Sequence, residues 1–88
     1  MLKLLGLVLL QIQLSQPCGP HSEWVTRLLT VYGEERVWMG LSGPRIMFEL
    51  FMNHESQTWT ILRTNPTGLS CLQASGFGGE LKAQGIET

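Results

Sequence analysis

The spacing of apolar side chains along the chain changes from a helical to an alternating pattern near residue 36. Between residues 20 and 32 they recur every three or four positions, which is typical of an amphipathic helix. The positions are Trp24, Val25, Leu28, Leu29, Val31 and Tyr32. Gly33 is well placed just beyond the helix C-terminus, and either Ser22 or Gly19 is the expected N-cap.

Four segments after residue 35 alternate between apolar and polar positions, which is the period of a β-strand. They cover residues 36–42, 45–53, 58–64 and 69–75. The connections are short and rich in turn residues, such as Ser-Gly-Pro at 42–44. Because short connections join antiparallel neighbours, we predict a four-stranded antiparallel meander. The expected fold class is α+β, with an N-terminal amphipathic helix packed on one face of the sheet.

The Asn-Pro-Thr-Gly segment at residues 65–68 sets the register of the last two predicted strands. Pro66 and Gly68 fit a type I turn that ends in a left-handed glycine. Each step away from the turn then pairs one residue of each strand. The expected pairs are Asn65–Leu69, Arg63–Cys71 and Ile61–Gln73.

This register collects apolar side chains on one face of the sheet, and we expect the helix to cover that face. The members are Ile46, Phe48, Leu50, Met52, Trp59, Ile61, Leu69 and Cys71. Cys18 stands just before the helix, so a disulfide from Cys18 to Cys71 is geometrically reasonable. Two buried free thiols or an exposed redox pair are the alternatives.

The first 15 residues differ from the rest of the chain. Lys3 precedes an apolar run at residues 4–14, which suits a signal peptide and is shorter than the ~20 residues of a membrane span. An ordinary amphipathic or core helix is the alternative, and the cleavage site is poorly defined. We expect a single domain at residues 16–88 with a loose tail from about residue 77, periplasmic or secreted. An uncleaved leader would instead hold this domain at the membrane.

The amino-acid composition argues against two classes of protein, nucleic-acid-binding and disordered. The chain has 88 residues, with six basic and seven acidic side chains. It lacks the basic stripe of a nucleic-acid-binding protein, and its hydrophobic fraction of 43% argues against disorder. A domain of this size has a marginal core, which a disulfide commonly reinforces.

Several short motifs resemble those of a group of small exported bacterial proteins that carry signal peptides and are of uncharacterised function. The motifs are Cys-Gly-Pro at 18–20, Tyr-Gly-Glu at 32–34, Glu-Leu-Phe-Met-Asn at 49–53, Thr-Trp-Thr at 58–60 and Gly-Leu-Ser-Cys-Leu at 68–72. The resemblance covers about residues 18–76. It implies the helix-on-sheet architecture and a Cys18–Cys71 disulfide, and it implies no activity.

Titratable side chains are few and scattered. The candidates are His21, His54, Glu49, Glu55 and the two cysteines. None has the spacing of a metal-binding or redox motif such as His-Glu-x-x-His or Cys-x-x-Cys. We therefore expect no catalytic residue, metal or cofactor, and both histidines on the surface. A small enzyme using His54 with Glu55, or a thiol-redox protein using Cys18 with Cys71, is the alternative.

The second face of the sheet is more apolar than a solvated face normally is. It carries Met47, Glu49, Phe51, Leu62 and Leu72. We expect this face either to bind a partner protein or to be covered by the C-terminal tail, with self-association as a further alternative. The edge near Trp38 and Met39 could also accept an added strand. The predicted function is a non-enzymatic binding or interaction module of the cell envelope.

Overall fold

The structure is a computed structural model that describes residues 16–79. Its elements in chain order are β1 (Cys18–Pro20), α1 (His21–Tyr32), β2 (Glu35–Ser42), β3 (Ile46–Met52), β4 (Thr58–Thr64) and β5 (Leu69–Phe77). The predicted signal peptide at residues 1–15 lies outside the described residues. So does the tail predicted from about residue 77, except for residues 77–79, of which Phe77 is the last residue of β5. Within residues 16–79, no helix has the length and apolar character needed to cross a membrane.

The fold is α+β, with one helix and one antiparallel sheet, as predicted. The prediction of four strands is wrong, because the sheet has five in the order β1-β5-β4-β3-β2. The additional strand, β1, precedes the helix and pairs with β5. A strand of three residues is too short to produce an alternating pattern. The helix is therefore not the first element of the domain, and it connects one edge strand of the sheet to the other.

The turn at residues 65–68 has the predicted geometry. The N–H of Asn65 donates to the Leu69 carbonyl at 3.0 Å, and Gly68 has a φ of 88°. Glycine adopts this left-handed conformation without steric cost. Arg63 consequently lies opposite Cys71, as predicted.

A bulge changes the register further along β5. Gln73 is the additional residue, so Ile61 pairs with Ala74 and the predicted Ile61–Gln73 pair is wrong. A bulge leaves one residue unpaired and reorients the rest of its strand. Here it brings Gly76 opposite Trp59. A β-carbon at Gly76 would lie 2.9 Å from the indole ring, so the glycine leaves room for that ring on the sheet.

The C-terminus of α1 is capped as the sequence predicts. Gly33 has a φ of 64°, and its N–H donates to the Leu29 carbonyl at 3.1 Å. The next N–H, of Glu34, donates to the Leu28 carbonyl at 2.9 Å. These two bonds satisfy carbonyls that the end of a helix leaves free.

The N-terminus of α1 differs in detail from the prediction. Its N-cap is Pro20 rather than Ser22 or Gly19, and no side chain caps the helix. The N–H of His21 donates instead to the Gly68 carbonyl at 3.0 Å. The first turn of the helix is thereby attached to the turn that precedes β5.

The helix covers the face of the sheet opposite to the predicted one. Leu28 of α1 forms the buried core with Phe51 of β3 and Leu62 of β4, and Trp24 and Val25 pack against them. Leu62 is the direct partner of Glu49 in the ladder. The covered face is therefore the one that carries Glu49.

Two features explain why this prediction is wrong. Cys18 lies in β1, within the plane of the sheet, so its bond to Cys71 does not place the helix on the face of Cys71. The polar side chains of the covered face also find partners. The hydroxyls of Thr64 and Ser70 are buried and 2.6 Å apart, and the Trp24 indole N–H donates to the Ser70 carbonyl at 2.9 Å. Polar groups that are paired in this way are readily buried.

The apolar face that the sequence assigned to the helix remains free of it, and we name it the open face. It consists of Trp38, Ile46, Phe48, Leu50, Met52, Trp59, Ile61, Leu69 and Cys71. The strand pairing places the eight predicted residues together. It adds Trp38 of β2, opposite Leu50, which the sequence did not assign to this face. No helix or strand of residues 16–79 forms a layer over this face. At one end of it, Gly79 lies against Trp59 and Met52, and Met52 is only 5% exposed.

The predicted disulfide between Cys18 and Cys71 is confirmed. The two residues are direct partners in the β1–β5 ladder, and their Cα atoms are 4.0 Å apart. The bond joins residues 53 positions apart in the sequence. The chain-entropy relation assigns about 4 kcal/mol to a loop of this length, so the disulfide is a major source of stability in so small a domain.

We predict that replacing Cys71 by serine lowers the free energy of unfolding by about 2–4 kcal/mol, because the unfolded chain regains the freedom of the open loop. Urea denaturation followed by circular dichroism measures this change. The variants Cys18→Ser and Cys18→Ser/Cys71→Ser should match the single Cys71→Ser variant, since all three lose the same bond. Additive losses in the double variant would contradict this account.

Candidate functional site

The residues predicted to form a free partner face lie beneath or beside the helix. Glu49, Phe51 and Leu62 each expose at most 2% of their surface. Met47 and Leu72 are partly buried on the same face. The expectation that this face is free of the helix is therefore wrong, and a partner cannot reach its centre while α1 is in place.

The centre of the covered face holds a buried charge, Glu49, which exposes only 1% of its side chain. Its Oε1 lies 2.7 Å from Nε2 of His21, and its Oε2 accepts from Nη1 of Arg36 at 3.2 Å. The His21 and Arg36 side chains are 33% and 50% exposed. Both carboxylate oxygens are thus bonded, and the two partners form the boundary between the buried charge and solvent.

Three separate elements supply this cluster. His21 is the first residue of α1, Arg36 lies near the start of β2, and Glu49 is in the middle of β3. The pairing of Arg36 with Phe51 brings its strand alongside Glu49. Sequence analysis placed Glu49 on the second face of the sheet and predicted His21 to be a surface residue. The structure instead turns its imidazole inward, onto Glu49.

Glu34 is a second buried carboxylate, directly after the glycine that ends α1. It exposes 3% of its surface. Its Oε1 is buried and has no hydrogen-bond partner among the described residues. Burying a carboxylate oxygen without a donor has a substantial free-energy cost, so a donor other than residues 16–79, water included, is favoured here.

Glu34 and Glu49 line one cleft of about 330 Å³ between α1 and the start of β2. We name it the carboxylate cleft. Its apolar wall consists of Val25, Leu29 and Phe51, and the other lining residues are His21, Glu35 and Arg36. Glu34 also borders a second cavity of about 260 Å³, whose lining holds no other charged residue.

The carboxylate cleft combines acidic and basic side chains. Glu34 and Glu49 lie with the Arg36 guanidinium and the His21 imidazole, whereas Glu35 pairs with Met52, a residue of the other face of the sheet. No serine, threonine or cysteine lines the cleft, so the described residues supply no hydroxyl or thiol nucleophile there. The arrangement is suited to binding more than to covalent catalysis.

Sequence analysis did not identify Glu34 or Arg36 as site residues. Glu34 follows Gly33 at the end of a helix, where a glutamate normally faces solvent. Its burial depends on β2 starting one residue later and turning the chain beneath α1. Arg36 begins the predicted strand, but only the pairing of β2 with β3 places it beside Glu49. Glu34 belongs to the Tyr-Gly-Glu motif at 32–34 and Arg36 follows it by two residues. This position is the only sequence signal for either residue, and it is weak.

The residues of the enzymatic alternative are not part of this cleft. His54 and Glu55 are exposed in the connection between β3 and β4. The backbone N–H of Glu55 donates to Oδ1 of Asn53 at 2.8 Å, which identifies this segment as a side-chain-stabilised turn. Cys18 and Cys71 are bonded to each other.

Among residues 16–79, no group of three or more His, Cys, Asp or Glu side chains is placed to hold a metal ion. Comparison of the chain with protein-family models, curated proteins and solved structures finds no match. The resemblance to small exported bacterial proteins therefore stays a prediction from the sequence.

We predict that Glu49→Ala lowers the free energy of unfolding by about 3 kcal/mol, because it leaves a cavity and removes the carboxylate that pairs with His21 and Arg36. Chemical denaturation measures the change. Glu55→Ala is the control, since Glu55 is exposed and its replacement should change stability by at most ~0.5 kcal/mol. Equal effects of the two substitutions would show that the Glu49 cluster does not stabilise the fold.

Proposed function

We propose that this protein is a non-enzymatic interaction module of the cell envelope that binds a partner protein through the open face. The observation that carries the proposal is that the most apolar face of the sheet has no helix or strand of residues 16–79 over it, and that only its Met52–Trp59 end is covered, by Gly79. A sheet normally buries its apolar face against another element. A partner would supply the missing layer.

The composition of the open face supports a protein partner. Trp38 is 54% exposed, and Phe48, Leu50 and Ile61 are partly exposed beside it. Aromatic and large aliphatic side chains supply most of the binding energy at the centre of protein interfaces. Gly40 lies beneath the Trp38 ring, where a β-carbon would approach it to 2.6 Å. The indole therefore lies flat on the sheet and presents a broad apolar surface.

One charged side chain projects from the middle of this apolar area, and Glu35 lies at its edge, opposite Met52. Arg63 is exposed and pairs with Phe48 on one side and with Cys71 on the other. Burying its guanidinium without a partner would be costly. The matching surface is therefore apolar and carries an aspartate or glutamate opposite Arg63, which gives the contact its register.

The disulfide supports a proposal about the cellular compartment of the protein. A small domain with a Cys18–Cys71 bond is consistent with an oxidising environment outside the cytosol. Together with the predicted leader at residues 1–15, it supports placement in the periplasm or secretion. The partner would then be another envelope or extracellular protein.

A pair of variants tests this function, because Trp38 and Leu41 lie on the same strand but on opposite faces. Leu41 pairs with Met47 on the helix side and is 71% exposed. A photo-crosslinking amino acid placed at residue 38 should capture a discrete envelope protein in the producing cell. The same group at residue 41 should not, although it is at least as accessible.

Charge reversal provides the second arm of this experiment. Arg63→Glu should abolish capture from residue 38, because the partner carboxylate would then face a like charge. Capture that is equal at residues 38 and 41, or that persists in Arg63→Glu, would contradict the proposal. A crosslinked homodimer would identify a second copy as the occupant and would also overturn it.

A further inference from the structure

We propose that residues 80–88, which we name the tail segment, fold back over the open face and cover it until a partner displaces them. The displacement rests on the proposed function, whereas the contact within the chain rests on separate observations. These are the direction in which the chain leaves β5, the length of the tail segment, and the order of its apolar and charged residues.

The chain leaves β5 toward the open face. The strand ends at Phe77, and the next N–H, of Gly78, donates to the Gln57 carbonyl at 2.9 Å. Gly78 has a φ of 86°, outside the range of a β-strand, so the chain turns at this residue. A β-carbon at Gly79 would then lie 2.8 Å from the indole ring of Trp59. The backbone has therefore turned onto the open face at Gly79.

Gly79 already covers one end of that face. The terminal methyl of Met52 lies 3.5 Å from the β-carbon position of Gly79, and Met52 is only 5% exposed. Trp38, farther across the same face, is 54% exposed. The tail segment therefore starts on the open face, and not on the face for which sequence analysis considered cover by the tail.

The tail segment is long enough to cross the rest of the face. It has nine residues, which span up to about 30 Å at the rise of an extended chain. The open face follows β3 from Met52 to Ile46, over seven residues, which is about 20 Å on the same scale. Its centre can thus be reached with length to spare.

The apolar residues of the tail segment suit the surface that they would cover. They are Leu81, Ala83 and Ile86, and the partly exposed Phe48 and Leu50 lie in the middle of the face. Removing both sets from water favours the contact. Ordering the segment costs conformational entropy that offsets much of this gain, so a partner with a larger apolar surface can displace it.

The charged residues of the tail segment follow the order of their opposites on the open face. Glu35 lies at the end where the segment starts, and Arg63 lies about 13 Å farther along β4 at the usual strand rise. In the segment, Lys82 precedes Glu87. Glu87 can extend up to about 26 Å from Gly79, so its carboxylate reaches the Arg63 guanidinium. Opposite charges in matching order set the direction of the segment on the face.

Internal crosslinking of the purified, oxidised full chain tests the contact. A photo-crosslinking amino acid in place of Trp38 should join residue 38 to a peptide from residues 80–88 of the same chain, identified by digestion and mass spectrometry. The same group at residue 41 should not, because Leu41 lies on the helix side. In the unsubstituted chain, nuclear Overhauser contacts should connect the Ile86 methyls with Leu50 or Ile61. This second measurement does not depend on a change at Trp38.

Substitutions in the tail segment test its apolar residues. Leu81→Asp/Ile86→Asp should reduce the internal crosslink by about fivefold or more, because it places carboxylates against hydrocarbon. The matched control Gln84→Asp/Thr88→Asp adds the same two charges to polar positions of the segment and should leave the crosslink unchanged.

Charge reversal tests the expected pair of Glu87 with Arg63. Glu87→Lys should weaken the internal crosslink, because two cations would then face each other, and Arg63→Glu/Glu87→Lys should restore it. Equal weakening in Glu87→Lys and the double variant would contradict this pairing.

Capture in the producing cell tests the displacement. Leu81→Asp/Ile86→Asp should raise partner capture from residue 38 by about threefold or more, because the open face is then free. Unchanged capture would show that the tail segment does not compete with the partner and would overturn the displacement.

The two readouts separate this proposal from the proposed function. Capture of a partner without the internal crosslink or the Ile86 contacts would overturn the cover and leave the proposed function in place. The internal crosslink without any capture would support the cover and contradict the proposed function. A crosslink to residues 80–88 of a second chain, or equal internal crosslinking from residues 38 and 41, would overturn the cover.

Discussion

The buried carboxylate of Glu49 is the constraint on which the arrangement of the domain depends. It lies at the centre of the sheet with 1% of its side chain exposed, and a charge in that position requires paired donors. One donor comes from the first residue of α1 and the other from the start of β2. The helix must therefore lie on the Glu49 face of the sheet, and β2 must pair with β3 in the register that puts Arg36 opposite Phe51, on that same face. The hydrocarbon core of Leu28, Phe51 and Leu62 completes the layer.

Placing the helix over Glu49 leaves the more apolar face of the sheet without a layer. Sequence reasoning selected that face for the helix because it counts hydrophobic side chains. The eight predicted members of that face outnumber the four apolar residues Met47, Phe51, Leu62 and Leu72 on the other side. Counting hydrophobic side chains ignores whether the polar groups on a face have hydrogen-bond partners there. Thr64 with Ser70, and Glu49 with His21, are pairs separated by 6 and 28 positions in the sequence. Only the folded chain shows that these groups satisfy one another.

The predictions that were confirmed depend on local signals. The helix, its end at Gly33, the turn closed by Gly68 and the alternating strands each follow from residues within a few positions. The Cys18–Cys71 pair could also be predicted, although its geometry differs, since Cys18 belongs to a strand. The short strand β1 and the bulge at Gln73 depend on neighbours that are distant in sequence. The cluster of Glu34, Arg36 and Glu49 depends on the β2–β3 pairing for the same reason.

The two surfaces that result have different chemistry. The open face is broad and apolar with a single cation, Arg63, whereas the carboxylate cleft is small and charged with an apolar wall. They lie on opposite sides of one sheet, so occupancy of one does not block the other. The two surfaces are separate because α1 packs on the face of the sheet that carries Glu49.

The position of α1 is therefore the central claim, and nuclear Overhauser contacts from the methyl groups of Leu28 test it most directly. This account predicts strong contacts to the Phe51 ring and the Leu62 methyls, and none to Leu50 or Ile61. Contacts from Leu28 to Leu50 and Ile61 would place the helix on the open face and contradict the account.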